Sequence, residues 1–314
     1  MTAAATTSSG GAGQLVHAAL LYRDPRQLRL AVDGFVCDAA RVGEPVLAVL
    51  PADQLESLGD VLDAPGIERR DMMRVGRNPA RLIALFEDWL SDHVQSGVRA
   101  RIVSESLYPG RSTPEAAECL RHEALVNLAL AARPVSVLCA YDAGHLDAPL
   151  LRGAERTHPH LIDVAGSRAS LLYGDPAEVG QGRDWPQPPP PMDADDLHFD
   201  GDLAALRRAL HAAPQLAGLD PERRGDYVFA INEVATNALY HGDGAADARM
   251  WRDGDRIVTE VTSASQVPGP LAGRRRPAVD APGGRGLYLV NQLCDLVELR
   301  NAPRGCSVRM HIDG

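Results

Sequence analysis

Aromatic residues are scarce: Phe, Trp and Tyr make up 4% of the 314 residues, so the packed cores must be aliphatic, built from Leu, Val and Ala. Cysteine is sparse too. The five thiols at Cys37, Cys119, Cys139, Cys294 and Cys306 show no Cys-x-x-Cys spacing, which excludes a disulfide framework and a zinc knuckle and fits reduced thiols in a cytoplasm. Positive charge is in deficit. A formal net charge of −10 argues against a nucleic-acid-binding surface and suits a protein that meets other proteins. No apolar run approaches the ~20 residues that span a bilayer, so no membrane segment is expected. The first 13 residues are mostly Ala, Thr, Ser and Gly, without a basic start or apolar centre, and read as a disordered tail rather than a signal peptide. Neither G-x-x-x-x-G-K-[ST] nor a G-x-G-x-x-G after the first strand is present.

Hydrophobic residues, at 45%, are ample for packed cores, and the length suggests two domains. From residue 14 to about 175, strand-like and helical stretches alternate. Leu15–Leu21 is strand-like, with His17 inside it and Tyr22 at its end. A helix at 25–42 leads to Pro45–Leu50, an apolar run suited to a central parallel strand. There follow a helix at 52–60, a strand at 71–75, a helix at 79–96, a strand from Val98 to Ser104, a helix at 113–132 and a strand at 135–140. This pattern predicts βαβ units and a parallel sheet. Tyr108–Thr113 is loop-like and caps the next helix, but it lacks the lysine of a phosphate loop.

The stretch from Gly180 to Asp196 holds Pro186 and the run Pro188–Pro191 and reads as a stiff, solvated linker. It places a boundary between a domain at 14–178 and another at 198–314, with 179–197 between them. The second domain begins at His198-Phe199 and holds a helix at 202–213. The central stretch of this half runs from Ile231 to Gly244. Asp220-Pro221 gives a helix start. Val228, Ile231, Ala235 and Ala238 form one apolar stripe, and Gly242 and Gly244 stop the helix. Glu233 and Asn237, four apart, point the same way. A carboxylate and a carboxamide on one face suit a hard cation and an attacking hydroxyl, although such pairs are also common on ordinary polar faces. Gly283-Gly284-Arg285-Gly286 before an apolar run is a glycine-rich helix opening that suits phosphate. Arg249–Arg252 and Arg256–Thr262 read as one hairpin and 296–300 with 307–312 as another. Val267 to Pro282 reads as a mobile lid.

Residues 198–314 resemble the GHKL ATPase module in its anti-sigma-factor serine kinase branch. Glu233-Val-Ala-Thr-Asn237-Ala-Leu-Tyr-His241-Gly242 is similar to the first ATP-binding box, and Gly283-Gly-Arg-Gly286-Leu to the later glycine box. The resemblance implies ATP and Mg as cofactors. It makes Glu233 the base that activates the attacking hydroxyl and Asn237 the magnesium ligand, with Gly283, Gly284 and Gly286 bringing backbone to the phosphates. Arg285 and the lid arginines Arg274–Arg276 are candidate phosphate contacts, although for the lid a solvated basic loop is the simpler reading. The family's Asp-x-Gly, whose carboxylate accepts the adenine amino group, is replaced by Ser263-Ala-Ser265. Loss of that contact should weaken nucleotide binding by ~1.5–3 kcal/mol.

Residues 14–165 resemble the MEDS sensory domain, whose core is akin to RecA and KaiC proteins. The residues that carry this are His17-x4-Tyr22, Glu105, Arg121-His-Glu123-x3-Asn127, Leu138-Cys139-Ala-Tyr141-Asp142 and Thr157-His158-Pro159. The resemblance implies a small-molecule ligand at His17, Tyr22, Glu105, Glu123, Cys139, Tyr141 and His158, outside the carboxyl ends of strands. Packing or capping is the simpler account of each residue alone.

The expected fold is therefore α/β: an N-terminal RecA/KaiC-like parallel-sheet domain and a C-terminal α+β sandwich of the GHKL (Bergerat) type. Three functions compete. One is an anti-sigma-type regulator that binds a sigma factor and phosphorylates a serine of a STAS-type antagonist. Another is a binding-only regulator with a degenerate ATP site. The third is a sensor histidine kinase. The last is disfavoured because only about one helix fits between linker and first box, and His211-x-x-Pro214 has Ala, not an acid, after the histidine. The reading adopted is partner switching by a cytoplasmic regulator, controlled by a ligand of the N-terminal domain, with no nucleic acid or membrane contact. Modules of this branch commonly dimerise, so a homodimer is expected.

Overall fold

A computed structural model describes residues 14–94, 98–197, 201–241, 246–278, 280–281, 283–303 and 305–314. The N-terminal tail, His198-Phe199, Gly242 and Gly244 lie outside the described residues. The chain divides into two compact units, one ending at Gly182 and the other beginning at Arg183.

In unit 1 the strands are β1 (Val16–Tyr22), β2 (Val46–Leu50), β3 (Ile67–Asp71), β4 (Ala100–Ser104), β5 (Val135–Asp142), β6 (His160–Asp163) and β7 (Gly166–Ala169). Its helices are α1 (Pro25–Val42), α2 (Ala52–Ser57), α3 (Gly59–Leu62), α4 (Met72–Val75), α5 (Leu82–His93), α6 (Thr113–Ala129), α7 (Ala148–Thr157) and α8 (Pro176–Val179). The sheet runs β3-β2-β4-β5-β1-β6-β7 and is parallel except for the edge pair β6–β7. Every residue of β2 is buried, as expected of a strand covered on both faces.

Local chemistry sets the helix ends. Asp24 caps α1 by accepting from the amides of Arg26 and Gln27, with Pro25 in the first turn, and Gly43 closes it at φ 71°. The amide of Ser112 donates to Glu115 Oε2 at 2.7 Å at the start of α6. The strand expected at 71–75 is displaced: β3 ends at Asp71, whose carboxylate accepts from the Met73 amide and turns the chain into α4. The short β6 and β7 carry no strong strand signal in the sequence.

Strand alternation divides the sheet's side chains. Ala18, Leu20, Tyr22, Leu138 and Ala140 share a core with Leu28, Val32, Phe35 and Val36 of α1. His17, Cys139 and Tyr141, at the alternate positions, turn to the other face. There α6 packs among α5, α7 and α8, and all of its residues from Glu115 to Val126 are buried. A helix so enclosed has to satisfy its polar groups internally: Arg121 pairs with Glu118 at 2.8 Å and donates to the Gly180 carbonyl.

Unit 2 holds β8 (Asp195–Asp196), β9 (Ala246–Asp253), β10 (Arg256–Ser263), β11 (Leu296–Ala302) and β12 (Gly305–Asp313), with α9 (Leu203–Ala212), α10 (Pro221–His241) and α11 (Arg285–Leu293). The sheet order is β11-β12-β10-β9-β8 and the pairs are antiparallel. Val228, Ile231, Ala235 and Ala238 of α10 share a core with Met250, Ile257, Val261, Val308 and Met310. The Tyr227 hydroxyl pins the helix to the sheet by donating to the Met310 carbonyl and by contacting Thr259 Oγ1, both at 2.9 Å. The alternate face of β12 is ionic, with Arg309 on Glu260 at 2.7 Å and His311 on Glu298 at 2.9 Å. The fold is mixed α/β, a parallel sheet followed by an antiparallel sheet with helices on it.

The Pro-rich stretch read as a solvated linker is tied down at both ends. Gly180 accepts from Arg121 in unit 1. In unit 2, Pro188 accepts from Arg309, and Asp195–Asp196 adds an edge strand to β9. Backbone groups there find partners, which composition alone does not reveal.

Candidate functional site

The two glycine-bounded motifs of unit 2 meet in space. Glu233 and Asn237 lie on successive turns of α10, and α11 begins at Arg285 with Gly284 as its N-cap at φ 86°. That left-handed conformation favours glycine. Gly286 is required for a different reason: a Cβ there would stand 2.9 Å from Glu233 Oε2 and 3.2 Å from Asn237 Nδ2. The missing side chain lets the first turn of α11 close on the polar pair of α10.

Beside this junction is a cavity of about 510 Å³ lined by Asn237, His241, Ser263, Ser265, Gly284, Gly286, Leu287 and Cys306, among others. Its size falls within the range of small-molecule sites. The positive end of α11 opens beside an amide side chain, an arrangement suited to phosphate and a hard cation. Gly283 and Arg285 flank this turn without lining the cavity as described.

The opposite end of the cavity is neutral. Ser263 Oγ lies 2.6 Å from Ser265 Oγ, and the two lie 3.6 and 3.8 Å from Cys306 Sγ. Among the described residues that line the cavity, none is Asp or Glu. Phosphate and magnesium therefore fit the residues present, whereas the wall at Ser263 and Ser265 offers hydroxyls in place of the carboxylate that the resemblance implies. Cys306 was not singled out by sequence reasoning; its register opposite Ser263 in the β10–β12 pair brings it in.

The segment read as a lid is held. Val267 and Asn301 exchange two hydrogen bonds at 3.0 Å, and Asn291 of α11 donates to the Gly273 carbonyl. Arg274 is buried rather than solvated, and Arg276 stands 5.8 Å from the centre of the Tyr288 ring. Val279 and Pro282 lie outside the described residues.

In unit 1 the expected ligand residues fall into two groups. Tyr22 and Glu105 meet at the carboxyl ends of β1 and β4: Tyr22 donates to Glu105 Oε1 at 3.0 Å and accepts from Gln54 at 2.9 Å. Burial pushes the Glu105 carboxyl up to about 8, so it is protonated at neutral pH. His17, Glu123, Cys139 and His158 lie elsewhere, enclosed between the sheet and α6, with Tyr141 edge-on to the His158 ring at 5.5 Å. Each of the four is at most 2% exposed. Burial, with His158 beside it, pushes His17 down to about 4, so its imidazole is neutral. A small cavity of about 20 Å³, lined by Ala18, Phe35 and Leu138 among others, lies on the α1 side, room for one water. Ser106 was not anticipated; it follows β4 and donates to Glu123 Oε1.

Two units of this kind define a signalling protein: an α/β domain with a buried polar cluster, and an α+β nucleotide-site module. Residues 16–159 match the family described as the MEthanogen/methylotroph, DcmR Sensory domain (MEDS), and residues 200–312 match the histidine kinase-like ATPase domain. The chain thus carries a MEDS sensory domain followed by a histidine kinase-like ATPase domain. No curated protein matches it. The ATPase domain implies ATP binding, usually with magnesium. No helix among the described residues is long and apolar enough to cross a membrane.

Proposed function

We propose that this signalling regulator is of the anti-sigma type: unit 2 binds ATP with magnesium and captures or releases a sigma factor by partner switching. The observation that carries the reading is the meeting of Glu233 and Asn237 with Gly286 at the opening of α11, beside a cavity of nucleotide-site size. In this reading Asn237 holds the magnesium ion and the amides after Gly284 hold phosphate oxygens. Glu233 takes the proton of a serine hydroxyl presented by a STAS-type antagonist. Bound ATP supplies a transferable phosphoryl group. Among the described residues of unit 2 one α-helix, α9, precedes α10 in place of a helical hairpin, and His211 lies exposed on it. The missing hairpin favours this reading over a histidine kinase. Unit 1 supplies the sensory input and sets partner affinity.

The test is calorimetric titration of magnesium ATP into the full-length chain. Wild type should bind, and Asn237→Ala should bind at least ~10-fold more weakly, about 1.4 kcal/mol. Glu233→Gln should keep nucleotide binding and lose phosphate transfer to the antagonist. An absence of wild-type binding up to millimolar nucleotide would sink the ATP reading and leave protein capture alone.

A further inference from the structure

We propose that His17, Glu123, Cys139 and His158 form a buried four-coordinate site for one zinc ion in unit 1.

The four ligand atoms come from β1, α6, β5 and the residue after α7, and all lie within 4.8 Å of one another. Glu123 Oε2 is 3.4 Å from His17 Nε2, 3.5 Å from His158 Nε2 and 3.1 Å from Cys139 Sγ, and His17 Nε2 is 3.4 Å from that sulfur. With zinc bonds of ~2.0–2.3 Å, the edges of a tetrahedral site come to ~3.3–3.6 Å. The side chains therefore already stand close to the spacing of a coordination shell.

With both rings neutral, the hydrogen bonding of the cluster leaves more acceptors than donors at its centre. His158 Nδ1 lies 2.9 Å from the Ala154 carbonyl, which can only accept, so in the neutral ring the proton belongs on Nδ1 and the lone pair on Nε2. That Nε2 is fully buried and makes no hydrogen bond. The two N–H bonds of the Asn127 amide are directed at the Thr157 carbonyl and, shared, at those of Glu123 and Ala124. Its oxygen is thereby turned to His17 Nδ1 at 3.1 Å, and His17 must donate there as well. Its Nε2 is then a second inward lone pair. The carboxylate has a third, and its other oxygen already accepts from Ser106 at 2.5 Å. One thiol proton, on Cys139, serves all of them.

Buried polar groups are normally paired, and three lone pairs converging on one point are what a metal ion satisfies. The bonds at Asn127, Ala154 and Ser106 then act as an outer shell that fixes ring tautomers and carboxylate orientation. Charge also balances. On binding, the Cys139 S–H bond breaks, its proton passes to solvent, and sulfur bonds to the ion. One thiolate and one carboxylate neutralise the 2+ charge, which suits a site closed to water. Two imidazoles, a thiolate and a carboxylate are a borderline-soft set that favours zinc over calcium or magnesium.

The test is metal analysis of the purified full-length chain, followed by chelation and titration with cobalt(II), a spectroscopic stand-in for zinc. The expected result is one equivalent of zinc, and cobalt uptake with a thiolate charge-transfer band and the intense visible bands of four-coordination. Cys139→Ser should abolish the charge-transfer band and weaken binding by at least ~10-fold, and Asn127→Ala should weaken it by ~10–100-fold. Cys37→Ser, at an exposed thiol of unit 1, should change neither. A chain with native circular dichroism that takes up no cobalt in excess overturns the proposal, as does stoichiometric binding that Cys139→Ser leaves unchanged. A failure here leaves the ATP reading of unit 2 untouched, because the two rest on different units.

Discussion

Replacing Ser263 by aspartate should raise the affinity of the chain for ATP by roughly 10- to 150-fold, the equivalent of ~1.5–3 kcal/mol. Ser263 ends β10 at the wall of the cavity, with Ser265 Oγ 2.6 Å away. Its backbone is fixed: a Cβ on Gly305 of the neighbouring strand β12 would stand 1.9 Å from the Ser263 carbonyl oxygen, so the two strands are in close contact. A carboxylate at this position adds a charged acceptor for an exocyclic amine, and charge-assisted hydrogen bonds are about twice as strong as neutral ones. Parallel calorimetry of wild type and Ser263→Asp decides it. Equal affinities would show that the base does not lie at this end of the cavity.

The second large effect is a pH dependence that belongs to Glu105. Burial, reinforced by the nearby carboxylates Asp142 and Asp53, raises its carboxyl to about 8 from an ordinary 4.5, against the hydrogen bond from Tyr22. Below pH 4.5 the group is protonated whether the chain is folded or not, and its contribution to stability is complete. As pH rises towards 8 the unfolded chain releases this proton while the folded chain keeps it, so stability falls. The limiting loss is roughly 4 kcal/mol between pH 5 and 9. Glu105→Gln keeps a neutral side chain of similar shape and should flatten this slope. Urea midpoints for the unit 1 transition, measured at both pH values in both proteins, supply the comparison. Parallel pH profiles would mean that Glu105 is ionised in the fold.

Much of the site in unit 2 was legible because its chemistry is local. The four-residue spacing of Glu233 and Asn237 fixes their common face on any helix. Gly284 and Gly286 announce a backbone that needs a left-handed residue and a missing Cβ. What the spacing could not supply was the neighbour of Gly286, since the contact with Glu233 joins residues more than fifty positions apart. The lid segment shows the same limit: Pro, Gly and Arg suggest a free loop, whereas Asn291 and Asn301, on other elements, bond to its backbone.

In unit 1 the limit was one of direction. His17 and Tyr22 are five residues apart on one strand, so they point to opposite faces of the sheet. Glu105 joins Tyr22 at a strand end, while Glu123 joins His17 beneath the sheet. The cysteine spacings suggest no metal motif, and a site assembled from four separate elements leaves no spacing to read.

The sequence by itself determined the alternation of strands and helices, the helix caps and the two nucleotide-site motifs, because propensity, periodicity and capping act over a few residues. Tertiary structure alone decided which polar side chains share an enclosure, that Cys306 stands beside Ser263 and Ser265 in the cavity wall, and that two histidines, a glutamate and a cysteine converge. Those outcomes depend on strand order and register, which bring together residues as far apart as His17 and His158 and which no local pattern encodes.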